Sequence, residues 1–353
     1  MQNLGIIEGF FGRQWSWPAR ADYAAFLKQH GYNYYIYAPK GDRFLREEWH
    51  KPLPDVTLTG LRKIREIYWK AGVAFGIGIN LYELHFQYDD KAIQLLENKI
   101  RQLNELSPDI LAILFDDMKG DLDRIAEIQV DATHRAAAAT TAGKVIMCPT
   151  YYSDDPKLDQ IFGQRPANYL ESLGKSLDSS VNVFWTGPEV CSFAYPIDHL
   201  KSVAERLGRK PFLWDNYPVN DSAKMCKHLH LRPFVGRPYQ IALHTAGHAV
   251  NPMNQPYLSQ IPLATLAERY REKETYDPDK AFQNAVTALC PEPLAAALQE
   301  DLPLLHDRGL DQISESEKAQ LIARYQTFNT PQANEIVEWL NGKYPHAMEC
   351  LTD

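Results

Sequence analysis

Short apolar, β-rich runs recur along the chain between longer amphipathic stretches, and this alternation restricts the fold more than any other feature. The runs are LGIIEGFF, NYYIYAP, AFGIGINL, ILAILFDD, VIMCPTYY, NVFWTGP, FLWDN and QIALHTAGHA. Segments with helical spacing lie between them, for example ADYAAFLKQHG and LTGLRKIREIYWKAG, each closed by a glycine suited to a helix C-cap. Strand and helix repeated eight times predict an α/β fold of the (β/α)8 TIM-barrel type. Continuous apolar strands such as ILAILF suit a parallel sheet buried on both faces.

After about Leu263 the alternation stops. DPDKAFQNAVTALC, PLAAALQEDLPLLHD, SESEKAQLIARYQTF and TPQANEIVEWLNG have helical spacing and are punctuated by proline and glycine. The expected organisation is a catalytic barrel over residues 1–270 and a small all-helical C-terminal domain over 271–353, with LSQIPLATLAERYR a candidate for the barrel's last helix. The 353 residues suffice, since a barrel takes roughly 250.

Composition narrows the partners. A hydrophobic content of 45% with 23% charged residues supplies a core and gives no sign of disorder. The net charge of -8 leaves no basic surplus for phosphates, so neither nucleic acid nor a membrane surface is expected, while a neutral sugar is compatible. Five cysteines, spread out and without a CxxC pair, read as reduced thiols rather than a disulfide framework or a zinc knuckle. The segment MQNLGIIEGFFGRQW lacks the basic and apolar regions of a signal peptide, and no apolar stretch approaches the roughly 20 residues of a membrane span, so a cytoplasmic location is expected.

In such a barrel the active site forms where strand C-termini open into loops. The strand ends carry Glu8, Gly9 and Arg13; Lys40 and Asp42; Asp116 and Asp117; Tyr151 and Tyr152; Trp185; Trp214, Asp215, Asn216 and Asp221; and Asn251. Aromatic walls with carboxylates and amides suit a carbohydrate. The sharpest feature is Asp116 beside Asp117. Two like charges entering a partly desolvated mouth imply that one has a raised pKa. Successive strand side chains point to opposite faces, so both can reach one ligand only if the chain bends there. Paired carboxylates with split pKa values are equipment for glycoside cleavage; an isolated Asp-Asp more often marks a solvated loop start or a helix N-cap, and it is the other strand ends that reverse those odds. Glu8 equally suits a barrel-interior ion partner, and Trp214 a place in the core. His244 and His248 in HTAGH lack the glutamate of a zinc-protease helix, and His228 and His230 lack a third ligand, so no metal and no cofactor are expected.

Taken in order, GIIEGFFGRQW, YIYAPKGD, LAILFDD, CPTYY, VFWTGP, FLWDNYPVND and the NP of VNPMNQ resemble the barrel of the O-GlcNAcase family, glycoside hydrolase family eighty-four, over roughly Leu4 to Tyr270. The resemblance implies a retaining exo-β-N-acetylglucosaminidase in which the sugar's own acetamido oxygen attacks the anomeric carbon through an oxazoline intermediate. By the same resemblance Asp116 orients the acetamido group and stays ionised, while Asp117 is the general acid and then base. Gly9, Lys40, Tyr152, Trp214, Asn216, Asp221 and Asn251 would contact the sugar, Asp221 and Asn251 gripping its distal hydroxyls. The implied partner is a GlcNAc-bearing protein, glycan or glycoside, with a homodimer through the helical tail as a further expectation. A hexosaminidase for another N-acetylated sugar and a catalytically silent sugar-binding module are the alternatives. Asn80-Leu81-Tyr82 departs from the Ser-Pro-Gly of the family, which puts that loop's contacts in doubt.

Overall fold

A computed structural model describes residues 3–352. The eight strands are β1 (Leu4–Glu8), β2 (Tyr34–Tyr37), β3 (Ala74–Asn80), β4 (Ile110–Leu114), β5 (Lys144–Cys148), β6 (Asn182–Trp185), β7 (Phe212–Asp215) and β8 (Gly247–Val250). They close in sequence order into one parallel barrel, β8 returning to β1 with Leu4 opposite His248 and Ile6 opposite Val250. Helices α1 (Trp17–Gln29), α2 (Asp55–Ala71), α3 (Asp90–Asn104), α4 (Ile125–Ala139), α5 (Pro156–Phe162), α6 (Tyr169–Ser176), α7 (Ile197–Leu207) and α8 (Pro256–Glu272) surround it. No helix among the described residues is long and apolar enough to cross a membrane.

Local chemistry sets the helix ends. Ser16 caps α1 by accepting from the Ala19 N–H, and Pro18 stands in its first turn, where a missing N–H costs nothing. Gly72 and Gly208 end α2 and α7 at φ +72° and +63°, conformations open to glycine without a Cβ penalty. Inside the barrel, glycines face large rings. A Cβ added at Gly5 would stand 2.3 Å from the Tyr34 ring, and one at Gly247 2.3 Å from that of Phe212. Small against large is how a narrow barrel interior reaches crystal-like packing.

The seventh crossover departs from the expected strand-helix repeat. Between β7 and β8 there are only short 3-10 helices at Met225–Lys227 and Tyr239–Leu243, so the QIAL part of the eighth apolar run is not strand. Pro218, Pro233 and Pro238 remove N–H donors throughout this stretch and prevent a long helix.

Helices α9 (Pro278–Leu289), α10 (Glu292–Leu302), α11 (Glu315–Gln326) and α12 (Pro331–Leu340) follow. The Glu335 carboxylate of α12 accepts from Tyr257 N (3.0 Å) and Leu258 N (2.8 Å), capping the free donors at the start of α8. Trp339 Nε1 donates to the Cys226 carbonyl at 3.0 Å, and His306 Nδ1 accepts from Leu231 N at 3.0 Å. The helices are thereby fastened to the β7–β8 connection, which borders the barrel mouth.

Candidate active site

Asp116 and Asp117 leave β4 at the mouth, and the expected bend is a single residue. Asp117 has φ +57°, the left-handed region that Asp tolerates better than most residues, and this turns both carboxylates toward one pocket. Their surroundings differ. Lys40 Nζ lies 2.5 Å from Asp116 Oδ2 and 3.5 Å from Asp117 Oδ2. Asn80 Nδ2 donates to Asp116 Oδ1 at 2.9 Å and to its carbonyl at 3.0 Å. The Asp117 carboxylate accepts from the Tyr152 hydroxyl at 3.2 Å on Oδ1. Arg46 Nη2 donates to the Asp117 carbonyl at 3.2 Å, its guanidinium 4.3 Å from the Tyr82 ring and 5.3 Å from that of Phe11.

Charge follows from this geometry. Burial pushes the Asp117 carboxyl above the usual range and the Asp116 charge adds to the rise, while Lys40, Arg46 and the Tyr152 hydrogen bond oppose it. Asp221 is driven up to about 6 by burial, reinforced by Asp117 and opposed by the Phe11 N–H, which donates at 2.7 Å. The site therefore pairs a cation-bound carboxylate with one biased toward its protonated form.

Gly9, Asp116, Asp117, Tyr152, Trp214, Asn216, Asp221 and Asn251 line a common pocket, with Cys148, Cys191, Val190, Val219 and Met225 supplying soft apolar wall. Lys40 stands behind it, reaching in through its ion pairs. Amides fix the wall opposite the carboxylates. Asn251 Oδ1 accepts from Gly9 N (3.2 Å), and Asn216 Oδ1 accepts from Asn251 Nδ2 (3.1 Å) and Trp214 Nε1 (2.8 Å). Gly9 must be glycine for Trp214 to lie there, because a Cβ would come within 2.4 Å of its ring.

The remaining strand-end residues turn elsewhere. Glu8 is no barrel-interior partner: its carboxylate meets Arg20 of α1 at 2.5 Å in the layer between strands and helices. Asp215 binds Arg237 (2.7 Å) and His248 (3.0 Å) behind β7. Asp42 accepts from the Tyr37 hydroxyl, Tyr151 donates to the Gly163 carbonyl, and Trp185 Nε1 meets His199. Arg13 pairs with Glu338 of α12 at 2.7 Å. Among the described residues no group of three or more His, Cys, Asp and Glu is placed to hold a metal. Sequence reasoning missed Arg46, and it left in doubt the loop whose Asn80 holds Asp116 and whose Tyr82 stacks on Arg46. It also gave no sign that Cys350 and Thr352 line the pocket.

Known proteins share this architecture. A family model described as beta-N-acetylglucosaminidase matches residues 4–302. The proteins named Protein O-GlcNAcase of Rattus norvegicus and Mus musculus are each 27% identical over 283 residues, covering 76% of this chain and 30% of their own length. The chain thus spans under a third of those relatives. A mutant of the O-GlcNAc hydrolase of Thermobaculum terrenum superposes with a TM-score of 0.78 at 30% identity, covering 96% of this chain and 80% of its own. A structure described as CpGH84B shares the fold, with a TM-score of 0.77 at 22% identity over 96% of this chain and 66% of its own. With its barrel, its carboxylate pair and a family match across most of its length, the chain belongs to the β-N-acetylglucosaminidase family of glycoside hydrolases, the family of the O-GlcNAcases.

Proposed function

We propose that the chain removes terminal β-linked N-acetylglucosamine by retaining, substrate-assisted hydrolysis. The observation that carries this reading is the unequal pair: Asp116 bound by Lys40 and Asn80, Asp117 raised by burial and by its neighbour's charge. In the first step the acetamido oxygen of the bound sugar attacks the anomeric carbon as Asp117 protonates the departing oxygen. The acetamido N–H becomes acidic as this happens, and the ionised Asp116 accepts its hydrogen bond. In the second step Asp117, now a carboxylate, takes a proton from water, which opens the oxazoline and restores the β-anomer. The nucleophile is tethered, so the protein supplies orientation and charge rather than a covalent partner. Asp221 and Asn251, at the far wall, would hold distal hydroxyls and favour chain-end cleavage. Proteins, glycans and small glycosides all present such a terminus.

The test is release of a fluorescent aglycone from an aryl β-N-acetylglucosaminide by wild type, Asp116→Ala and Asp117→Ala, with the N-acetylgalactosamine analogue alongside. Turnover lost in both variants and blocked by a thiazoline mimic of the intermediate is the expected result. Full activity in Asp117→Ala would overturn the proposal.

A further inference from the structure

The sugar pocket is not open. Beside the carboxylates and Trp214 its lining includes Cys350 and Thr352, and the free cavity amounts to only about 40 Å³. Ligand pockets usually offer roughly 300–1,000 Å³. Thr352 stands beside Tyr152, whose O–H donates to Asp117 Oδ1 at 3.2 Å. A backbone turn closes the segment, Cys350 N donating to the Ala347 carbonyl at 3.1 Å. The segment is tethered close by. Tyr344 is buried, donates to Glu338 Oε2 at 3.1 Å and lies under the Arg13 guanidinium at 4.8 Å, fixing the tail to the loop after β1. Beyond that anchor the hold weakens: Met348 and Leu351 are 84% and 58% exposed.

We infer that residues 348–352 form a strap that occupies the sugar pocket and competes with substrate, a self-interaction resting on the reading that this pocket receives the sugar. A firm anchor followed by a segment with exposed Met348 and Leu351 describes a weak ligand kept at high local concentration. A short flexible tether gives effective concentrations of order mM, so even weak intrinsic binding leaves part of the population closed, and apparent affinity for substrate falls by the open fraction. The strap is neither chemically altered nor consumed. It lowers occupancy of the site without changing the bound complex.

The test keeps the whole chain. Cys350→Glu brings a fourth carboxylate toward Asp116, Asp117 and Asp221 and should expel the strap by like-charge repulsion, and Thr352→Val removes the strap's polar group beside Tyr152. For both variants KM toward an aryl β-N-acetylglucosaminide should fall, about two- to tenfold given mM effective concentrations, with kcat unchanged. The calorimetric Kd of a GlcNAc thiazoline should fall by the same factor. A synthetic peptide of residues 346–352 added to Cys350→Glu should raise that Kd again. Unchanged KM and Kd in both variants would overturn the strap. Because the thiazoline titration needs no turnover, a Kd that shifts in a protein without hydrolytic activity would sink the proposed reaction and leave the strap standing.

Discussion

Asn80→Ala isolates what positions Asp116, the carboxylate proposed to receive the acetamido group. The amide makes two bonds to Asp116, one to the charged Oδ1 and one to the backbone carbonyl, so its removal leaves the carboxylate free to swing about the Lys40 contact. A hydrogen bond to a charged group contributes about 1.5–3 kcal/mol. Only the part made stronger in the transition state bears on kcat, and in the proposed reaction positive charge on the acetamido N–H develops at that stage. At about 1.4 kcal/mol per decade, kcat/KM on an aryl β-N-acetylglucosaminide should drop roughly 10- to 100-fold, mainly in kcat. Asn80 is buried, so the variant will also lose some stability. Assays well below its midpoint of thermal unfolding separate that loss from the catalytic one. Asn80→Ser, which keeps a short donor, should recover part of the activity. An Asn80→Ala enzyme within twofold of wild type would refute the reasoning, since Lys40 alone would then suffice to orient Asp116.

Three other perturbations test separate parts of the structure. In Lys40→Met the alkaline limb of the kcat/KM profile should move to higher pH while its height falls, because the Lys40 charge opposes the rise of the Asp117 carboxyl; a limb moving to lower pH would contradict this. Asp221→Asn should raise KM yet stabilise the fold in a pH-dependent way. A carboxyl raised from 3.8 to about 6 contributes stability below its unfolded value and loses it as pH rises through 6, so the variant should match wild type near pH 4 and exceed it by about 3 kcal/mol above pH 7 in denaturant titrations. An equal difference at both pH values would exclude that cause. Arg237→Met strands Asp215, whose carboxyl burial would push up but the guanidinium and His248 hold down to about 2; chemical unfolding should register a loss of about 3–5 kcal/mol, against no loss if the pair is merely incidental.

Much of the barrel was legible because its strands must be apolar on both faces, a demand that overrides local ambiguity and recurs at regular spacing. Where that demand lapses the reading failed. QIALH is apolar enough for a strand, yet the segment stands beside Pro238 and only Gly247–Val250 joins the sheet. The strap was invisible for a different reason. Residues 348–352 carry no periodicity, and their partners lie near positions 116, 152 and 214, a separation that no local pattern encodes.

The site residues stand out by place and chemistry at strand ends, and a strand's period of two sorts those strand ends further. Neighbours on a strand face opposite layers. Gly9 looks into the pocket while Glu8 meets Arg20, and Trp214 lines the pocket while Asp215 meets Arg237 behind the sheet. Extended along β3, the same alternation sets Asn80 on the face of Gly76 and Gly78, whose added Cβ atoms would strike the inward Ile36 and Ala38. That places its amide in the mouth with Asp116 rather than in an uncertain loop. Parity thus removes Glu8 and Asp215 from the candidates and adds Asn80. Asp117 alone breaks the rule, and its positive φ is the means: the chain turns through the left-handed region for one residue so that two consecutive carboxylates share a pocket that a regular strand would have divided.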